Sequence, residues 1–111
     1  MIAKTPEPPY YAVIFTSLRT DGDNGYAEMS NRMVELAKAQ SGFLGYESAR
    51  EGLGITVSYW KDQESIRNWR DNLEHQAARR KGKILWYKQF TTRIAKVERD
   101  YDFIIAQDFE K

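Results

Sequence analysis

The spacing of apolar residues along this chain switches from strand-like alternation to helical three- and four-residue steps and back, twice. Few folds accommodate that order. Residues 10–19, YYAVIFTSLR, are aromatic and β-branched, the composition of a strand. Thr20–Gly25 is a turn cluster. From Tyr26 to about Gln40, Tyr26, Met29, Met33, Leu36 and Ala37 recur at helical spacing while Glu28, Arg32, Glu35 and Lys38 take other faces. Ser41-Gly42 closes that helix with a glycine available for a left-handed cap. Phe43–Arg50 and Ile55–Trp60 read as two strands, with Glu51-Gly52-Leu53-Gly54 as a hairpin between them. Asp62 is a good N-cap for a second helix, with Ile66, Trp69, Leu73 and Ala77 on its buried stripe. Asn72 marks a kink in it and Gly82 a stop. Trp86–Arg99 reads as a long last strand.

The order β-α-β-β-α-β is the split βαβ arrangement, so an α+β, ferredoxin-like domain is predicted. Two amphipathic helices should lie on one face of a four-stranded antiparallel sheet. Three prolines at 6, 8 and 9 make residues 1–9 an extended lead-in; the domain spans 10–101, and 102–111 form a tail. Tyr101, Phe103, Ile104, Ile105 and Phe109 make that end more apolar than solvent requires. The strands carry aromatics on both phases: Tyr10 and Tyr11, Phe43 and Tyr46, Tyr59 and Trp60. The sheet face turned away from the helices therefore needs a cover. A second subunit would supply one, giving a homodimeric αβ-barrel.

Composition removes several classes of function. Lys plus Arg number 17 against 16 Asp plus Glu, a balance unlike that of a nucleic-acid binder or of a protein drawn to anionic membranes. There is no cysteine, so thiolate nucleophiles, iron–sulfur clusters and Cys-based zinc sites are excluded. One histidine, His75, rules out a multi-histidine metal centre within a chain, and no metal is expected. No apolar stretch has the roughly 20 residues of a spanning helix. The opening residues lack the apolar core of a secretion signal, so a cytoplasmic location is expected.

Three segments carry a likeness to a known family: Gly42-Phe43-Leu44-Gly45-Tyr46-Glu47-Ser48; Trp60-Lys61-Asp62 with Ile66 and Trp69; and His75-Gln76-Ala77-Ala78 with Gly82, Trp86 and Tyr87. With the strand order, they make residues 10–101 resemble the antibiotic biosynthesis monooxygenase family of dimeric αβ-barrels. That resemblance implies a ligand cavity between sheet and helices, with Trp69 by its wall. It implies oxidation of a small aromatic or quinol-type compound without cofactor. The family also includes haem-degrading members, which carry a histidine ten residues beyond that tryptophan and an asparagine in the first strand. Arg79 stands at that histidine position here and residues 10–19 contain no Asn, so haem is not the expected ligand.

The residues themselves leave alternatives open. His75 has the one side chain whose ordinary pKa lies near neutrality, which suits a general base; a capping or surface imidazole is the plainer reading. On an unbroken helix it would point away from the buried stripe, and a kink at Asn72 would turn it toward a cavity. Trp69 is either a core tryptophan or a substrate wall. Tyr46, Tyr59 and Tyr87 can each donate a hydrogen bond to a phenol or quinone. Arg79, in the basic run Arg79-Arg80-Lys81, can hold a carboxylate or simply complement a helix C-terminus. Two functions of different kinds fit: a cofactor-independent monooxygenase with His75 and Trp69 as catalytic residues, or a non-catalytic small-molecule binding or stress-response module using the same cavity.

Overall fold

A computed structural model describes residues 1–105; Phe109 of the tail lies outside the described residues. Strand β1 (Tyr10–Arg19) is followed by α1 (Tyr26–Lys38), β2 (Phe43–Glu51) and β3 (Leu53–Trp60). After these come α2 (Gln63–Arg70), α3 (Leu73–Lys81) and β4 (Tyr87–Val97). The sheet order is β2-β3-β1-β4, antiparallel throughout, so the ferredoxin-like α+β class read from the sequence is the observed one. The helices pack on one face. Ala37 of α1, Ile66 of α2 and Trp60 of β3 form the buried cluster, with Tyr11, Val13, Phe43 and Trp69 against it.

Gly42 shows why these segments meet as they do. Its φ of +87° favours glycine, and a Cβ there would lie 2.0 Å from the Ser65 hydroxyl oxygen. Ser65 is buried and held by Asp62, whose carboxylate accepts from both the Ser65 N–H and its hydroxyl. The N-cap of α2 thus sits directly against the turn that leads into β2.

Three expectations are corrected. The second helix is two helices, because the chain breaks at Asp71-Asn72 and Asn72 caps a new one, its side chain accepting from the His75 N–H. The break rotates Leu73 off the buried stripe and leaves it 81% exposed. Gly82 does not stop the helix: it keeps helical angles (φ −56°, ψ −44°) and opens a single π-helical turn, Gly82–Trp86, that delays β4 to Tyr87. Finally, Phe43 and Tyr46 share a face although three residues apart. Phe43 pairs with Trp60 but Gly45 pairs with Tyr59, so Leu44 is the extra residue of a bulge that inverts the alternation of β2 beyond it.

The bulge decides what the helix-side face carries. Along β2 that face bears Phe43, Tyr46, Ser48 and Arg50, against Trp60, Ser58, Thr56 and Gly54 of β3. The opposite face bears Tyr10, Tyr59 and Glu47. There the lead-in folds back: the Ala3 N–H donates to Glu47, and the Tyr10 hydroxyl lies between Thr5 and Asp100. Leu18, Leu53 and Ile55, farther along that face, stay exposed. The tail residues Tyr101, Phe103, Ile104 and Ile105 are exposed too, so the packing expected of them is not made among the described residues.

Candidate functional site

Between the helices and the sheet lies a cavity of about 390 Å³, a volume typical of small-molecule sites. Its floor is Val13 and Phe15 of β1, Thr56 and Ser58 of β3 and Phe90 of β4; α1 contributes Met29 and Met33 to the roof. Trp69, His75, Tyr46, Tyr87 and Arg79 all line it, so five of the six residues singled out from the sequence come together. Tyr59 does not. It is on the other face of the sheet, where its hydroxyl donates to Glu47 at 2.7 Å and its ring meets Tyr10 edge-on. Burial and the Glu47 carboxylate push the Tyr59 phenol up to about 12, so it stays a donor in that pair. A more open groove of about 550 Å³ runs outside α1, but its Glu28, Arg32, Glu35 and Lys81 make it a mixed-charge surface.

His75 reaches the cavity through the Asn72 break. Its ring stacks on Trp69 with centroids 4.1 Å apart and planes 13° from parallel, and Trp69 stacks in turn on Trp60 at 6.2 Å. His75 Nδ1 lies 2.9 Å from the Trp69 backbone oxygen. A carbonyl only accepts, so Nδ1 carries the proton, and Nε2 keeps a lone pair. Burial lowers the His75 pKa below its ordinary 6.5; the Arg79 charge adds to the fall, while the bond to the Trp69 carbonyl opposes it. The neutral imidazole therefore predominates at neutral pH. The ring is thus neutral, with its Nδ1 proton fixed on the Trp69 carbonyl and its Nε2 lone pair without a partner among the described residues.

At the other end of the cavity, Tyr26 and Tyr87 meet edge to face, 5.9 Å between centroids. Burial raises the Tyr87 pKa, reinforced by the Tyr26 hydroxyl, so this phenol remains a hydrogen-bond donor. Arg19 covers the Tyr26 ring at 3.7 Å, a cation–π contact. Tyr26 was legible only as part of an apolar stripe.

Arg50 and Arg70 also line the cavity, and neither stood out in the sequence. Arg70 pairs with Asp71 at 3.0 Å on the surface. Arg50 crosses the neighbouring strand to Ser17, donating to its hydroxyl at 2.5 Å and to its carbonyl at 3.3 Å. The available signal was the glycine at 54, which reads as a turn residue but lies within β3 facing Arg50. Among the described residues, no cluster of three His, Asp or Glu side chains suits a metal ion.

The chain thus forms an α+β, ferredoxin-like domain with an aromatic-walled cavity beside one half-buried imidazole. A family model described as antibiotic biosynthesis monooxygenase matches residues 9–81, and the chain belongs to that family. It is 56% identical over 100 residues to the uncharacterized protein YqjZ of Bacillus subtilis (strain 168), covering 88% of each. Among solved structures it resembles SO0527 of Shewanella oneidensis (TM-score 0.71, 10% identity, 86% of this chain and 97% of that one). It also resembles SnoaB, a cofactor-independent oxygenase from Streptomyces nogalater (TM-score 0.64, 12% identity, 94% of this chain and all of that one). At such identities these structural matches establish the shared fold.

Proposed function

We propose that this protein is a cofactor-independent monooxygenase that oxidises a small hydroxylated aromatic compound in the cavity under α1, with His75 as general base. The carrying observation is the His75–Trp69 arrangement: Nδ1 is committed to a backbone carbonyl, which leaves Nε2 to take a proton. Family membership and the likeness to SnoaB support the same reading.

In the proposed reaction Nε2 accepts the substrate's phenolic proton. The electron-rich anion passes one electron to dioxygen, and the two radicals join at a ring carbon as a peroxide. Loss of the hydrogen on that carbon with cleavage of the O–O bond leaves a carbonyl and releases water. For a naphthol the balance is one naphthol plus one dioxygen giving one naphthoquinone plus one water. The ring supplies all the electrons. Trp69 forms the wall beside the base, Tyr46 and Tyr87 are the orienting donors, and Val13, Phe15 and Phe90 of the floor keep water from the anion.

Incubating the protein with hydroxylated naphthalenes under isotopically labelled dioxygen tests this. One labelled oxygen atom should enter each quinone, and turnover should stop without dioxygen. Equal turnover under anaerobic conditions would rule the reading out.

The proposed assembly is a homodimer joined through the outer sheet face, because Leu18, Leu53 and Ile55 are left uncovered by the described residues. Sedimentation should give twice the chain mass at micromolar concentration. A stable monomer there would exclude that assembly.

A further inference from the structure

From Arg50 we infer that the ligand of this cavity is an aromatic acid, its anionic group held at the cavity mouth by that residue. The inference rests on the cavity being the ligand site, as proposed above. It adds the ligand's charge and the residue that reads it.

Arg50, Gly54 and Ser17 stand side by side across β2, β3 and β1, since Arg50 pairs with Gly54 and Gly54 with Ser17. The Arg50 side chain spans the middle position to reach Ser17, and only a residue without a side chain permits that. A Cβ on Gly54 would fall 2.2 Å from the guanidinium carbon. Ser17 is buried, and its hydroxyl and carbonyl both accept from Arg50; the Gly52 carbonyl accepts at 3.5 Å. The guanidinium is thus fixed by three neutral acceptors. It has five N–H donors, so two remain unengaged.

Among the described residues no carboxylate answers this charge. The ion pairs among the described residues are Arg32–Glu74 and Arg70–Asp71, and neither involves Arg50. The charged residues lining the cavity are Arg50, Arg70 and Arg79, with no Asp or Glu among them. Among the described residues Arg79 donates only to the Arg70 backbone carbonyl, at a loose 3.4 Å. All three arginines are exposed enough to stand at the mouth, whereas the rest of the lining is mainly aromatic and aliphatic, with a few hydroxyls such as Thr56 and Ser58. Such a site suits an amphiphile with rings inside and an acid outside. A guanidinium is the group that best receives a carboxylate, through paired N–H donors. The Tyr87 hydroxyl, held protonated, is a further donor on the same wall.

The test compares 2-anthracenecarboxylate with its amide, which has the same shape and no charge, by calorimetric titration of the full chain. The acid should bind about tenfold tighter or better, the gain expected of a charge-assisted bond. Arg50→Gln should bring the acid down to the affinity of the amide. Gly54→Ala should do the same without touching a charge, because its methyl group occupies the place of the guanidinium. Arg79→Gln should keep the preference. Equal affinities in the parent protein, no binding of the acid, or a preference that survives Arg50→Gln and Gly54→Ala would overturn the inference. So would a preference lost only in Arg79→Gln. These are binding measurements, so they separate from the oxygenase reading. A preference for the acid with no oxygen-dependent turnover leaves Arg50 its role and removes the oxygenase, and turnover without the preference does the reverse.

Discussion

Replacing His75 with alanine is expected to cut oxygen-dependent turnover by about 100-fold or more while leaving ligand affinity nearly unchanged. A positioned general base contributes on the order of 10²–10⁴ in rate, and its loss falls on kcat rather than on binding. A non-catalytic binding module would show the same unchanged affinity with no turnover to lose, so the parallel measurement of both quantities distinguishes the two. The pH profile supplies a second check. Burial holds the His75 pKa below 6.5, so the rate should rise with pH through that lowered value and be level above it. An alanine variant should lack that limb. Stability carries the same sign. The unfolded chain binds this proton more readily than the folded one, so the contribution is intact above about pH 6.5. It is lost as pH falls from there through the folded value. A wild-type rate that climbs toward acid pH would contradict the assignment.

Trp60→Ala should be the most damaging single core change, at about 3–5 kcal/mol. Trp60 is fully buried, donates through its indole N–H to Ser58 at 2.9 Å, and touches Phe43 edge-on at 5.2 Å between centroids. Domains of this size hold only about 5–15 kcal/mol in all. The melting temperature should fall by roughly 10–20 °C. Trp69 rests on Trp60, and His75 on Trp69, so the variant should also lose ligand binding at temperatures where it remains folded. A cost below about 1 kcal/mol in chemical denaturation would show that the stack does not organise this end of the core.

Period alone disclosed the element order, both amphipathic stripes and the place of Trp69, because tertiary packing here agrees with local pattern. It failed where one residue alters the phase. Leu73 looked buried because an unbroken helix would carry it there, yet the Asn72 cap starts a new helix at a new angle. The same break brings His75 to the cavity, an outcome the sequence offered only as one of two. Gly82 looked like a stop because glycine often ends helices, but the chain uses it where the Tyr87 ring leaves only 3.0 Å for a Cβ. Tyr59 and Tyr46 are chemically alike, and only strand parity separates the one facing Glu47 from the one facing the cavity. Arg50 was missed because its one signal, Gly54, reads in Gly52-Leu53-Gly54 as part of a turn and not as a strand residue lying under a guanidinium.

The bulge at Leu44 makes the sign of this pocket a matter of counting. Were the same residues to follow Phe43 in unbroken alternation, with Leu44 taking an ordinary place, Glu47 and Glu51 would turn inward and Tyr46 and Arg50 would go to the outer side. A site that now presents cations would present carboxylates, with no side chain exchanged for another. In this scaffold one bulge in the second strand decides which sign of charge the cavity meets.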